Sequence, residues 1–134
     1  MGAANQIEGV GVPLRATGAL EQYALIVPTA TLSSDGEVTC ALAGASEAGA
    51  VMQNAYGVLA GDITNGNTAV TGIPLSAYST YIVVSGDSGA IAVGDEVKLA
   101  ANGRVDNDGS VVVGTALTAA PAAGNHLTII PKVH

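Results

Sequence analysis

Glu96-Val97-Lys98-Leu99-Ala100-Ala101-Asn102-Gly103-Arg104-Val105 is the stretch on which the fold turns. Its first four residues alternate polar and apolar, the two-residue period of a strand with one buried face. Asn102-Gly103 then supplies the positive φ angles that a tight hairpin turn needs. The same turn chemistry recurs at Asp35-Gly36, Asn65-Gly66 and Asp108-Gly109. Runs rich in Val, Ile, Thr and Leu lie around these pairs, at 23–32, 37–42, 51–53, 80–85, 96–100, 111–117 and 127–133. Short strands at this spacing predict an all-β fold, a small single-domain β-barrel or β-sandwich with tight glycine turns. The Ala-rich stretches 43–50 and 116–123 are interrupted by Gly44, Gly49 and Pro121, so at most one short helix is expected.

A chain of 134 residues fits one domain. With no Trp, no Phe and four Tyr, its 49% of hydrophobic residues must build a core from small aliphatic side chains. Each of these buries little area, at roughly 25 cal/mol per Å². Oligomerisation or docking on a larger surface is therefore expected to supply part of the stability. Eleven acidic residues against four basic ones (Arg15, Lys98, Arg104, Lys132) give a net charge of −7. No basic patch can form, which argues against nucleic acid and against an anionic membrane as partners. No apolar run approaches the roughly 18–20 residues of a spanning helix. The first residues show neither the basic nor the apolar region of a signal peptide. Cys40 is the single cysteine, so no internal disulfide and no cysteine-based zinc site is available.

The first 15 residues differ from the rest. Ile7, Val10, Val12 and Leu14 are spaced among Gly9, Gly11 and Pro13, a pattern that disfavours helix and gives an extended segment. It reads equally as a free arm, able to add to another chain's sheet edge, or as the first strand of the domain. Residues 16–134 then form the β-rich domain.

Catalysis requires a nucleophile or an acid–base pair held by partners. Gly86-Asp87-Ser88-Gly89 has the look of the segment around the nucleophile of trypsin-like proteases, but both histidines, His126 and His134, lie downstream of the serine. It reads better as a turn. Asp106-Asn107-Asp108-Gly109 resembles part of a calcium loop, yet Arg104 takes the first ligand position and no closing glutamate follows. No phosphate-binding glycine loop occurs, and the histidines have no partner at metal-ligand spacing. Tyr23, Tyr56, Tyr78 and Tyr81 are scattered, which favours packing over a sugar-stacking platform. No catalytic, cofactor or metal residues are assigned, and no enzyme activity is expected.

Several ordered pieces resemble the capsid-cement, or head decoration, proteins of tailed bacteriophages. Ala50-Val-Met-Gln-Asn54 is similar to that family's G-V-L-Q-N segment, and Gly89-Ala-Ile-Ala-Val-Gly-Asp-Glu-Val97 to its I-x-x-G-D-x-V step. Asn102-Gly-Arg-Val105 resembles the turn that follows, and Val113-Gly-Thr-Ala-Leu117 with Ala119-Ala120 and Ala123-Gly124 resembles x-G-x-A-L-x-A-A-x-x-G. Leu127-Thr-Ile-Ile130 resembles the closing strand. The likeness spans about residues 45–133 and departs over 55–85, where this chain is longer and richer in Asn and Thr.

The resemblance implies a homotrimer on the outer capsid surface of a virion, made in the bacterial cytoplasm, that bridges copies of the major capsid protein. It also implies that the arm residues Ile7, Val10, Val12 and Leu14 contact the coat, and that deleting residues 2–14 would abolish that contact and leave the β-domain folded. Turn glycines are expected at Gly94, Gly103 and Gly114, with Asp95 capping the turn before Val97. A carbohydrate- or receptor-binding β-module on a virion or cell surface is the leading rival. A small hydrolase would need Ser88, His126 and an aspartate within hydrogen-bond reach.

Overall fold

The computed structural model describes residues 12–44, 56–58, 66, 68–75, 80–86 and 89–132. The described residues form ten strands, β1 (Val12–Ala16), β2 (Leu25–Leu32), β3 (Val38–Leu42), β4 (Tyr56–Val58), β5 (Ala69–Pro74), β6 (Tyr81–Val84), β7 (Glu96–Leu99), β8 (Val105–Asp106), β9 (Val112–Ala116) and β10 (His126–Pro131). One 3₁₀ turn, Ala101–Gly103, is the helical element among the described residues. The fold is all-β, as the strand-length runs and glycine turns indicated.

The strands form two layers. In the first, β1-β3-β2-β4-β5 close into a barrel, with β1 parallel to β3 and antiparallel to β5. In the second, the order is β6-β10-β9-β7-β8, every pairing antiparallel. A lone parallel bridge between Ser85 and Val105 links its two outer strands. Gly86 N–H donates to the Val105 carbonyl at 2.7 Å beside that bridge, so the second sheet also curls toward closure.

Strand β2 is the wall between the layers. Ile26 points into the barrel with Leu14, Ala16, Leu20, Cys40 and Val70. Leu25 and Val27 point the other way, into a larger core built with Val83, Val97, Leu99, Val113, Leu127 and Ile129. A strand buried on both faces needs apolar residues at every position rather than every second one, which is why Ala24-Leu25-Ile26-Val27 shows no alternation. The outer strands keep the period of two: along β10 the side chains of Leu127 and Ile129 are buried, while His126 and Ile130 face out.

The turns separate by mechanism. Asp35-Gly36 closes the β2–β3 hairpin, with Gly36 at φ 83 and its N–H donating to the Ser33 carbonyl at 2.9 Å. Asn102 (φ 61) and Gly103 (φ 72) both adopt left-handed backbone, the conformation of a hairpin turn between β7 and β8. Gly94 sits at φ 90. Asp95 Oδ2 accepts from Ala92 N–H at 2.8 Å, and Asp95 N–H donates back to the Ala92 carbonyl, so this carboxylate caps the turn as expected.

Two turn expectations change. Gly114 lies inside β9, where an added Cβ would run into the Ile130 carbonyl, so it is a site of close strand approach. Asp108-Gly109 joins β8 to β9, but these strands are not neighbours because β7 lies between them. The segment is a crossing loop and not a hairpin.

Candidate functional site

The residues assigned to a coat-binding arm divide. Ile7 and Val10 lie outside the described residues. Val12 and Leu14 belong to β1, whose register runs Val12↔Gly72 to Arg15↔Ala69 against β5 and Arg15↔Thr39 against β3. Leu14 is 1% exposed and packed inside the barrel, so its side chain is committed to the core rather than available to a partner. Removing residues 12–14 would take out the strand that closes the barrel; an arm deletion that spares the fold must stop at residue 11.

The junction of the two layers holds a cleft of about 410 Å³. Glu21 and Leu42 line it from the barrel side, and Ala100, Asn102, Arg104 and Asp106 from the sheet side. Arg104 reaches across 83 residues of sequence to Glu21, with Nε–Oε1 at 3.0 Å and Nη2–Oε2 at 2.8 Å. This two-pronged contact suits a guanidinium and a carboxylate, and it consumes the charge of both. Asp106 is 6% exposed, and its carboxylate lies so close to Gly86 that a Cβ there would sit 2.8 Å from Oδ2.

The backbone reinforces the junction. Gly103 N–H donates to the Ala43 carbonyl at 2.8 Å, and Ala43 N–H donates to the Leu25 carbonyl at 3.0 Å. The cleft is therefore a braced seam between layers. No three His, Cys, Asp or Glu side chains among the described residues are grouped to hold a metal.

His126, exposed at the start of β10, meets the Tyr23 ring edge-on with centroids 5.0 Å apart. Tyr81 is buried in the larger core, where it packs rather than forming a platform. Tyr78, Asp87, Ser88 and His134 lie outside the described residues. The Cys40 thiol is buried in the barrel, and desolvation pushes its pKa from 9.0 up to about 11. The residue runs did not disclose the Glu21–Arg104 contact. The available signal is scarcity: with four basic side chains in a chain of net charge −7, each has many possible acidic partners, and both arginines are paired with glutamates.

The described surface also carries exposed apolar side chains in two places. Leu32 (65% exposed) and Val38 face each other at the tip of the β2–β3 hairpin. Ile82, Leu117 and Ile130 lie on the outer side of the second layer, and Val93 is exposed in the turn before β7. There Ile82 pairs with Thr128 and Ile130 with Thr115, and Leu117 N–H donates to the Thr128 carbonyl at 2.8 Å.

The arrangement defines a class: a small all-β protein in which a closed five-stranded barrel and a curled five-stranded sheet share one wall. The same fold is found in the head fiber gp8.5 N base of bacteriophage phi29, known from a crystal structure. That chain superposes with a TM-score of 0.68 over 92% of this chain and 93% of its own, at 21% sequence identity. No protein-family model and no curated protein sequence matches this chain.

Proposed function

We propose that this chain is a structural protein of a phage virion, one that decorates the outer capsid surface and cements it by bridging major capsid proteins, as a homotrimer. The observation that carries the reading is the fold shared with a phage head fiber base over nearly the whole of both chains. The ordered sequence pieces between residues 45 and 133 resemble cement proteins and support the same reading. The role is mechanical: packaged DNA strains a shell, and a subunit that bridges neighbours adds binding free energy that rupture must overcome. Many weak contacts repeated over a lattice suffice, because linked sites raise avidity without strong individual ones. An acidic surface limits stray attachment to nucleic acid. The reading includes no catalytic step, no cofactor, and no nucleic-acid or membrane partner.

Co-sedimentation with undecorated shells tests it. The intact chain should pellet saturably with shells and stay in the supernatant without them. A variant lacking residues 2–11 should remain folded and lose the shells, because the coat contact is assigned to the segment before β1. Failure of the intact chain to pellet at any concentration would overturn the reading.

A further inference from the structure

We infer that copies of this chain associate head to tail, the β2–β3 hairpin tip of one copy docking on the outer face of the second layer of the next. The inference rests on the self-association in the function proposed above and names the surfaces that perform it. Its first ground is the division of the exposed apolar residues. Leu32 and Val38 form a projecting knob, and Ile82, Leu117 and Ile130 lie on one sheet face around Thr128, with Thr115 beside Ile130. Exposed apolar side chains gathered on one sheet face mark an interaction site, and the aliphatic, aromatic-poor core gives this chain reason to bury more.

The second ground is charge. Among the described cations, Arg15 is paired with Glu37, Arg104 with Glu21 and Lys98 with Glu96. Lys132 is exposed and, by the alternation of β10, projects on the same side as Ile130. The hairpin tip carries the exposed Asp35 beside its apolar pair. An apolar knob with an acid thus faces an apolar plate with a base. Two copies of net charge −7 repel, yet screening confines that repulsion to about 8 Å at physiological ionic strength. Local complementarity then decides where contact forms.

A knob on one element and a plate on another cannot pair with themselves. The contact is therefore heterologous, and such contacts close into rings when the rotation between copies permits. Neither surface includes the cleft, and neither uses the arm.

The test is mixing of complementary variants, read by light scattering with size exclusion. Wild type should be oligomeric. Leu32→Asp destroys the knob and Leu117→Asp the plate, and each alone should be a monomer of 13.0 kDa. Both side chains are exposed, so both variants should fold, which circular dichroism checks. Mixed one to one, each supplies the surface the other lacks, and the mixture should run as a dimer and stop there. Leu32→Asp remaining fully oligomeric would refute the knob and leave self-association standing. A mixture that stays monomeric would refute the head-to-tail contact. A monomeric wild type across the accessible concentration range would refute self-association itself, while shell binding is scored separately by sedimentation.

Discussion

Gly103→Ala is the substitution that weighs most heavily on the junction between the layers. Gly103 sits at φ 72, and an added Cβ would run into the Leu25 carbonyl and lie 3.1 Å from Ala24 Cβ. Left-handed backbone costs a non-glycine residue about 1–2 kcal/mol. Forcing a carbon into a packed contact costs a further 1–3 kcal/mol or so. The turn cannot retreat cheaply, because Gly103 N–H is bonded to the Ala43 carbonyl at 2.8 Å. The expected loss is about 3 kcal/mol, and a chain of this size loses about 3–4 °C of melting temperature per kcal/mol, so about 10 °C in all.

Gly94→Ala is the matched control. Gly94 has φ 90 but nothing within 4 Å of the Cβ position, so it should lose only the backbone penalty, about 1 kcal/mol. Both variants are unfolded in urea at one fixed protomer concentration, since association shifts apparent stability by mass action. A Gly103→Ala variant no less stable than Gly94→Ala would refute the close approach of the β7–β8 turn to β2.

Further outcomes follow from the same contacts. Leu14→Ala should destabilise the barrel by about 2–5 kcal/mol, the range for emptying a buried leucine site, measured by urea unfolding. Deleting residues 2–14 should lower stability sharply while deleting 2–11 should not; equal melting curves would return β1 to the arm. The Glu21–Arg104 contact is partly solvated, so a double-mutant cycle with Glu21→Gln and Arg104→Met should give a coupling of only about 0.5–1 kcal/mol. Cys40 should resist a thiol reagent at pH 8 in the folded protein and react once unfolded. Because its folded pKa of about 11 lies above the 9.0 of the unfolded thiol, its contribution to stability is intact below pH 9 and declines between pH 9 and 11. A cysteine-to-alanine variant should lack that part of the alkaline loss.

What the sequence disclosed depended on how local each signal was. The β2–β3 and β7–β8 hairpins were legible because strand, turn glycine and returning strand all lie within about 20 residues. Strand β1 was ambiguous because its partners, β3 and β5, are distant in sequence, and nothing near Val12 says which edge receives it. Strand β5 is hidden in the sequence because Gly72 and Pro74 interrupt the run; pairing on both sides, to β1 and β4, holds it extended. Gly114 reads as a turn in the sequence because a glycine needed for close strand approach looks the same there as one needed for positive φ. Of the candidate surfaces, the scarcity of bulky core residues signalled a need for further burial. The sheet face and the Glu21–Arg104 brace emerged only when the fold brought distant residues together.

The most direct test of the virion role is a cryo-electron-microscopy difference map between shells incubated with the chain and shells without it. The account predicts added density on the outer surface, repeated over the lattice and touching at least two neighbouring coat subunits. Density absent from the outer shell, or present there but resting on a single coat subunit, would contradict the bridging role.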